Sequence, residues 1–458
     1  MITKKIFSIF LLGVSLLVFW YIQNGGLPLG YDHGAYKHII NLLWENQNLQ
    51  DLPKYLKHQF EPFSGTFFYS LTAFTGQEVF FWWGYLGIFI LTWVSLFLLG
   101  KKKRKYTVWS YLWLFLFFFS AIQYINLWWA FGKQMFATFF LILLIRYYRN
   151  SIIAFILMAA CLSLHRLTGF VAISYFLFTY LFSQKRNLKH YYALLIGLWV
   201  AAFSYFVLFY EQVFPLIRNI ITNPQNQVFI QWKYGTGFSG RELFFYLVPV
   251  LLMVFLGLVQ SMWGRGIREF LKKPHTVSAL LIGLIVVFRS IAHTRLWTFL
   301  DLFLIIIITR SLYHLFDRKW IYVFIITQCV VWGVFVNKWH TPFIDQTEYK
   351  IIRDVTRDMP RDVTLVTLSW AYMSWLTGYT HREIYSPHQW IWQMLWTSLE
   401  RKNMKYIPNK LCNNLSKLPW NVVIYIGARE NYSSLKDNPC ITEVQKWQNG
   451  SRLFLHLR

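Results

Sequence analysis

Asp32 and His33, in the run Gly30-Tyr31-Asp32-His33-Gly34-Ala35-Tyr36, come after the first long apolar segment, residues 6–22, and open a polar stretch. A carboxylate in front of an amphipathic helix can take a proton from an attacking hydroxyl or amine. Cations stand at comparable junctions between apolar runs farther along: Lys133, His165 with Arg166, Arg289, and His293 with Arg295. One carboxylate facing several cations suits chemistry on a phosphate-bearing lipid. The cations bind the phosphate and stabilise it as it departs, and the carboxylate accepts the proton. Each residue also has a bland reading. Asp32 before Gly34-Ala35-Tyr36 is a good helix N-cap, worth roughly 1 kcal/mol. His33 is a solvated loop histidine, or it tunes Asp32 or contacts phosphate. His165-Arg166 reads equally as a polar turn with Arg166 reaching outward along its stem. Asp301, inside an apolar run, calls for a salt bridge with Arg295 or with a cation on a neighbouring helix.

The elements that must position these residues are set by hydropathy. The 458-residue chain is 56% hydrophobic and only 14% charged, with a mean hydropathy of +0.36. Uncharged runs recur at lengths near the ~20 residues that cross a ~30 Å hydrocarbon layer. The pattern predicts about eleven spans, over residues 5–23, 79–99, 107–126, 133–149, 151–164, 167–183, 191–210, 242–262, 276–292, 296–313 and 320–336. The fold class expected is an all-α polytopic membrane bundle with a small C-terminal α/β domain. The net charge of +25 comes in short clusters between these runs, such as Lys101–Lys105 and Arg265–Lys273, as the positive-inside rule requires. That distribution excludes nucleic acid as a partner. It sets the N-terminus, an uncleaved signal anchor, in the cytoplasm and the C-terminal domain outside. Plasma (inner) membrane is the expected location, with membrane lipids among the partners.

Domain boundaries follow: a membrane module over 1–336 with a first outer loop at 24–78, and an extracytoplasmic domain over 337–458. In the outer loop, residues 34–46 place Tyr36, Ile39, Ile40 and Leu43 on one helical face and Lys37, Asn41 and Glu45 on the other. Residues 62–75 read as a second short interfacial helix, and 211–241 as a glycine-rich mobile loop. In the outer domain, Tyr349–Met359 and Gln389–Glu400 read as helices, and Val363–Thr367, Val422–Ile426 and Leu453–Leu457 as strands. Cys161 and Cys329 read as small packing residues. Cys412 and Cys440, both in this domain, form a disulfide if it faces an oxidising compartment. No Cys/His spacing suits a metal. Asn414, Asn431 and Asn449 each begin an Asn-x-Ser triplet, a glycosylation acceptor pattern that also arises by chance.

These features resemble the GT-C superfamily of integral-membrane glycosyltransferases, of the protein mannosyltransferase and aminoarabinose transferase type. Three places carry the resemblance. Asp32-His33-Gly34-Ala35-Tyr36 matches a D-x-G-x-Y pattern that follows the first span in many members. His165-Arg166-Leu167-Thr168-Gly169 resembles an outer turn written H-x-T-G or H-P-x-G. His293 to Asp301 resembles a late R-[YF]-x-x-P segment, with Arg295 in the arginine position but without its proline. A second acidic residue stands beside the first in many members; here His33 occupies that place.

The resemblance implies transfer of a sugar from a polyprenyl-phosphate donor to a glycan, lipid or protein acceptor, with inversion. Asp32 would be the general base, and Arg166, Arg295, Lys133 and His165 would hold the leaving phosphate. His33, Tyr36, Arg289 and His293 would be auxiliary. It implies no cofactor, metal independence being expected with a divalent ion still open. Competing readings are a transporter or flippase of lipid-linked saccharides, a polymerase or ligase acting through basic residues without an Asp32 base, and an inactive scaffold.

Overall fold

A computed structural model describes residues 108–128, 132–182, 240–264, 273–287, 293–315, 318–339, 343–360, 363–367, 421–429 and 439–456, with scattered residues between 11 and 92, from 191 to 199, and among 372–378 and 412–416. The chain divides into two compact units: residues 1–23 with 58–341, and residues 24–57 with 342–458. The polar segment after the first apolar run thus groups with the C-terminal part of the chain.

The first unit is helical: α1 (Val108–Phe118), α2 (Ala121–Trp128), α3 (Gly132–Tyr147), α4 (Ser151–Leu164), α5 (Arg166–Leu181), α6 (Gly240–Gly264), α7 (Pro274–Val287), α8 (His293–Leu315) and α9 (Arg318–Trp339). Its core is dense in Phe, Leu and Ile, and α8 runs through it with Phe299, Leu302, Phe303 and Ile305 to Ile308 buried. Helix α8 packs against α1, α2, α6 and α7. Large apolar side chains also point outward, including Ile152, Phe170, Phe255, Leu284 and Ile326; continuous faces of this kind ordinarily meet another surface.

Among the described residues no helix is long and apolar enough to cross a membrane. This overturns the expected bundle of about eleven spans, and with it the expected integral, plasma-membrane placement. The physical reason lies partly in length. The run at 107–126 is not one helix, because Ser120 N–H bonds the Phe117 carbonyl at 3.3 Å and ends α1 before α2 begins. Helices α3, α4, α5 and α7 have 16, 14, 16 and 14 residues, which at ~1.5 Å per residue reach at most about 24 Å. In the longer helices the charged residues stand at the ends of α6 (Arg241 and Glu242) and α9 (Arg318, Lys319 and Lys338), while α8 also holds Asp301 inside its bounds. Apart from the broken run at 107–126, hydropathy therefore placed these helices to within about five residues at each end; what fails is their reading as membrane spans. The runs at 5–23, 79–99 and 191–210, the 62–75 helix (Thr72 excepted) and the 211–241 loop lie wholly or mostly outside the described residues.

Helices α4 and α5 are joined by one residue. His165 is the C-cap of α4, its N–H bonding the Cys161 carbonyl, and also the N-cap of α5. So tight a hairpin needs close backbones, and Gly169 supplies the room. A Cβ there would stand 2.5 Å from Leu162 Cδ2 and 2.7 Å from Leu162 Cα. Backbone cannot yield as a flexible side chain can. Gly169→Ala is therefore expected to cost about 1–3 kcal/mol, read as a lowered thermal unfolding midpoint; an unchanged midpoint would refute the close approach.

The second unit holds α10 (Gln346–Asp358) and the strands β1 (Val363–Thr367), β2 (Asn421–Ile426), β3 (Ile441–Lys446) and β4 (Arg452–His456). The sheet order is β1-β2-β4-β3, with β1 parallel to β2 and the other pairs antiparallel. β1 and β2 are buried almost throughout, whereas β3 is exposed after its first residue. The β3–β4 hairpin turns at Asn449-Gly450, where Gly450 has φ +94°, a conformation glycine adopts without steric cost. Asn449 Oδ1 accepts from Ser451 N–H at 3.0 Å and its Nδ2 is buried. The turn thus uses the side chain that a glycan would need; Asn414 and Asn431 lie outside the described residues. Cys412 and Cys440 are disulfide-bonded, Cα to Cα 5.8 Å.

Within this unit, Gly34, Tyr36, Lys37 and Ile40 are helical. Lys37 is as buried as Tyr36, so the expected polar face is not solvated there. Trp375 Nε1–H bonds the Gly30 carbonyl at 3.2 Å, and Gly378 lies so close to Gly34 that a Cβ would stand 2.3 Å from its carbonyl oxygen.

Candidate functional site

Two of the sequence-selected positions meet directly. Arg295, in the first turn of α8, places Nη1 3.3 Å from His165 Nε2, across 130 positions of sequence. His165 Nδ1 caps α5, accepting from Thr168 N–H at 3.3 Å and lying 2.8 Å from Thr168 Oγ1. His165 is buried, and it holds Arg295 at the N-terminus of α5, where backbone N–H groups favour an anion.

The start of α3 reaches the same place. Gln134 Nε2–H bonds Thr298 Oγ1 at 2.7 Å and approaches the Arg295 carbonyl at 3.5 Å. Its chain neighbour Lys133 is half-buried and Arg166 is exposed. Lys133, His165, Arg166 and Arg295 therefore come from the adjoining first turns of three helices and the residue that caps one of them. A set of cations and helix N-termini can bind a phosphate. His293 is the first residue of α8. Asp32, His33 and Arg289 lie outside the described residues.

Among the described residues Asp301 makes no salt bridge, and the expected one with Arg295 is not formed. It is 1% exposed, and its Oδ2 accepts from Ser120 Oγ at 2.7 Å and Gln123 Nε2 at 2.9 Å, both neutral. Gln123 Nε2 also bonds the Thr298 carbonyl at 2.7 Å. Burial pushes the Asp301 carboxyl up to about 6, the two hydrogen bonds opposing. Ser120, Gln123, Asn126 and Gln134 escaped the sequence reading. Their one signal is that polar residues at helical spacing interrupt an otherwise apolar run, and only tertiary packing shows that they face Asp301.

Among the described residues no group of three or more His, Cys, Asp or Glu side chains could hold a metal. Comparison with protein-family models and with curated proteins finds no match to this chain.

Proposed function

We propose that this chain is a glycosyltransferase that moves a sugar from a polyprenyl-phosphate carrier to a glycan, lipid or protein acceptor. The reading rests on the likeness of three short motifs to GT-C enzymes. The observation that carries it is the Arg295–His165 contact at the N-terminus of α5, because it joins two of those motifs in one anion-binding arrangement.

The acceptor oxygen or nitrogen forms a bond to the anomeric carbon as the carbon–oxygen bond to phosphate breaks. The departing polyprenyl phosphate keeps the bonding electrons, and the configuration inverts. Asp32 takes the acceptor's proton. Arg295, oriented by His165, holds the leaving phosphate together with Arg166 and Lys133. Tyr36, His33, Arg289 and His293 are auxiliary to these steps.

Sugar transfer from a polyprenyl-phosphate donor tests the assignment. Asp32→Asn keeps the size of the side chain and removes the base, and should slow transfer at least roughly a hundredfold. Near-normal transfer would reject the role of Asp32 and leave a polymerase or ligase type of chemistry through the basic residues.

A further inference from the structure

We infer that the Asp301 cluster is a binding site for a monovalent metal cation of the sodium class, distinct in chemistry from the phosphate-binding role proposed for Arg295. The argument starts from unmatched acceptors. Both donors to Asp301 reach Oδ2, and Oδ1 is buried with no hydrogen-bond partner among the described residues. Two neighbours repeat the pattern. Gln134 spends its amide nitrogen on Thr298 and Asn126 points its own at Gln123 Oε1, 3.4 Å away. The oxygens of both, Gln134 Oε1 and Asn126 Oδ1, are buried without a partner among the described residues. Gln123 links the group, touching Asp301, Thr298 and Asn126. Asp301, Gln123, Asn126 and Gln134 are each no more than 3% exposed.

Oxygens that accept and are given nothing to accept mark a place that calls for positive charge. The helices packed against α8 bring little: α1 and α2 contain no charged residue, α7 contains His275, and α6 carries Arg241 and Glu242 at its first turn. On α8 itself, Arg295 lies six residues before Asp301 and turns to His165. One carboxylate with neutral amide and hydroxyl oxygens is a hard, oxygen-only donor set. Its single negative charge balances one positive charge. A divalent ion would leave excess charge in a buried place, and the softer transition metals prefer nitrogen and sulfur.

The ion stabilises the folded chain by binding it and not the unfolded one. Thermal unfolding of the full chain at pH 8 and constant ionic strength tests this, with sodium chloride replacing N-methylglucamine chloride stepwise. The midpoint should rise by several degrees and saturate with sodium. Asp301→Asn should abolish the rise, and Gln134→Leu should raise the half-saturating sodium concentration about tenfold. Should Asp301→Asn fail to fold, retention of radioactive sodium by the wild-type chain in equilibrium dialysis, at one ion per chain and weakened in Gln134→Leu, carries the same decision. Equal midpoints in the two salts, or a sodium response that survives in Asp301→Asn, would overturn the site. The readout is binding, so it stands or falls independently of sugar transfer.

Discussion

Glu348→Ala is expected to destabilise the sheet-bearing unit by about 4 kcal/mol, because one buried carboxylate satisfies groups from four places in the chain. Asp345 caps α10, its carboxylate accepting from Glu348 N–H at 2.7 Å. A glutamate at this position commonly reaches back to its own helix N-terminus. Here it reaches across to the sheet. Oε1 accepts from Ala428 N–H at 2.7 Å, Ser451 Oγ at 3.0 Å and Tyr425 OH at 3.3 Å, and Oε2 from Tyr372 OH at 3.2 Å. Truncation leaves two phenols, a hydroxyl and a backbone N–H competing for water in a closed space. Tyr372 cannot simply swing away, since a Cβ on Gly427 would stand 1.9 Å from its ring. Denaturant unfolding followed by tryptophan fluorescence checks the magnitude; a loss under about 1 kcal/mol would show that the donors find other partners.

The same residue gives a pH dependence whose sign can be fixed. Burial pushes the Glu348 carboxyl above its ordinary 4.5, outweighing the hydrogen bonds from Ala428, Ser451 and Tyr372. A carboxyl with a raised folded value holds its proton more tightly when folded. Its titration term therefore favours the fold fully below 4.5 and is lost as pH rises through the raised value. Glu348→Gln cannot titrate. The stability difference between wild type and this variant should accordingly shift in favour of the wild type on acidification.

How far the sequence reached depended on the range of the interactions involved. Val363–Thr367 was legible as a strand because a β-branched run after Pro360 is a local signal, and it is β1. The helix at Tyr349–Met359 was legible by periodicity, although α10 starts three residues earlier, at Gln346 after its Asp345 cap. Strand β3 was missed: Ile-Thr-Glu-Val-Gln-Lys alternates weakly and buries only Ile441, so pairing with β4 makes it a strand. The Gln389–Glu400 helix lies outside the described residues. At the candidate site, His165 and Arg295 were each legible as polar residues at apolar boundaries, yet their contact depends on packing across 130 positions. Asp301 shows the limit most plainly. Its cost was readable and its partners were not, because Ser120 and Gln123 carry no charge to announce them.

The exposed position of β3 makes the Cys412–Cys440 bond the second large lever on this unit. A strand that buries one side chain gains little from apolar burial. It is held by its ladder to β4, by the ion pair between Glu443 and Arg452, and by the bond that begins one residue before it. Closing a loop of sequence separation 28 restricts the unfolded chain by about 3–4 kcal/mol, and that loop contains β2. Cys412→Ser, or reduction of the wild type, should lower the unit's stability by this amount. A mobility shift on reduction should be seen in the wild type and be absent from Cys412→Ser. The loss should also be uneven: amide exchange should quicken first in β3, while β1 and β2, buried on both sides of their parallel pairing, keep their protection. Uniform quickening would place the effect in the unfolded chain alone, and unchanged exchange would mean that the ladder to β4 suffices without the bond.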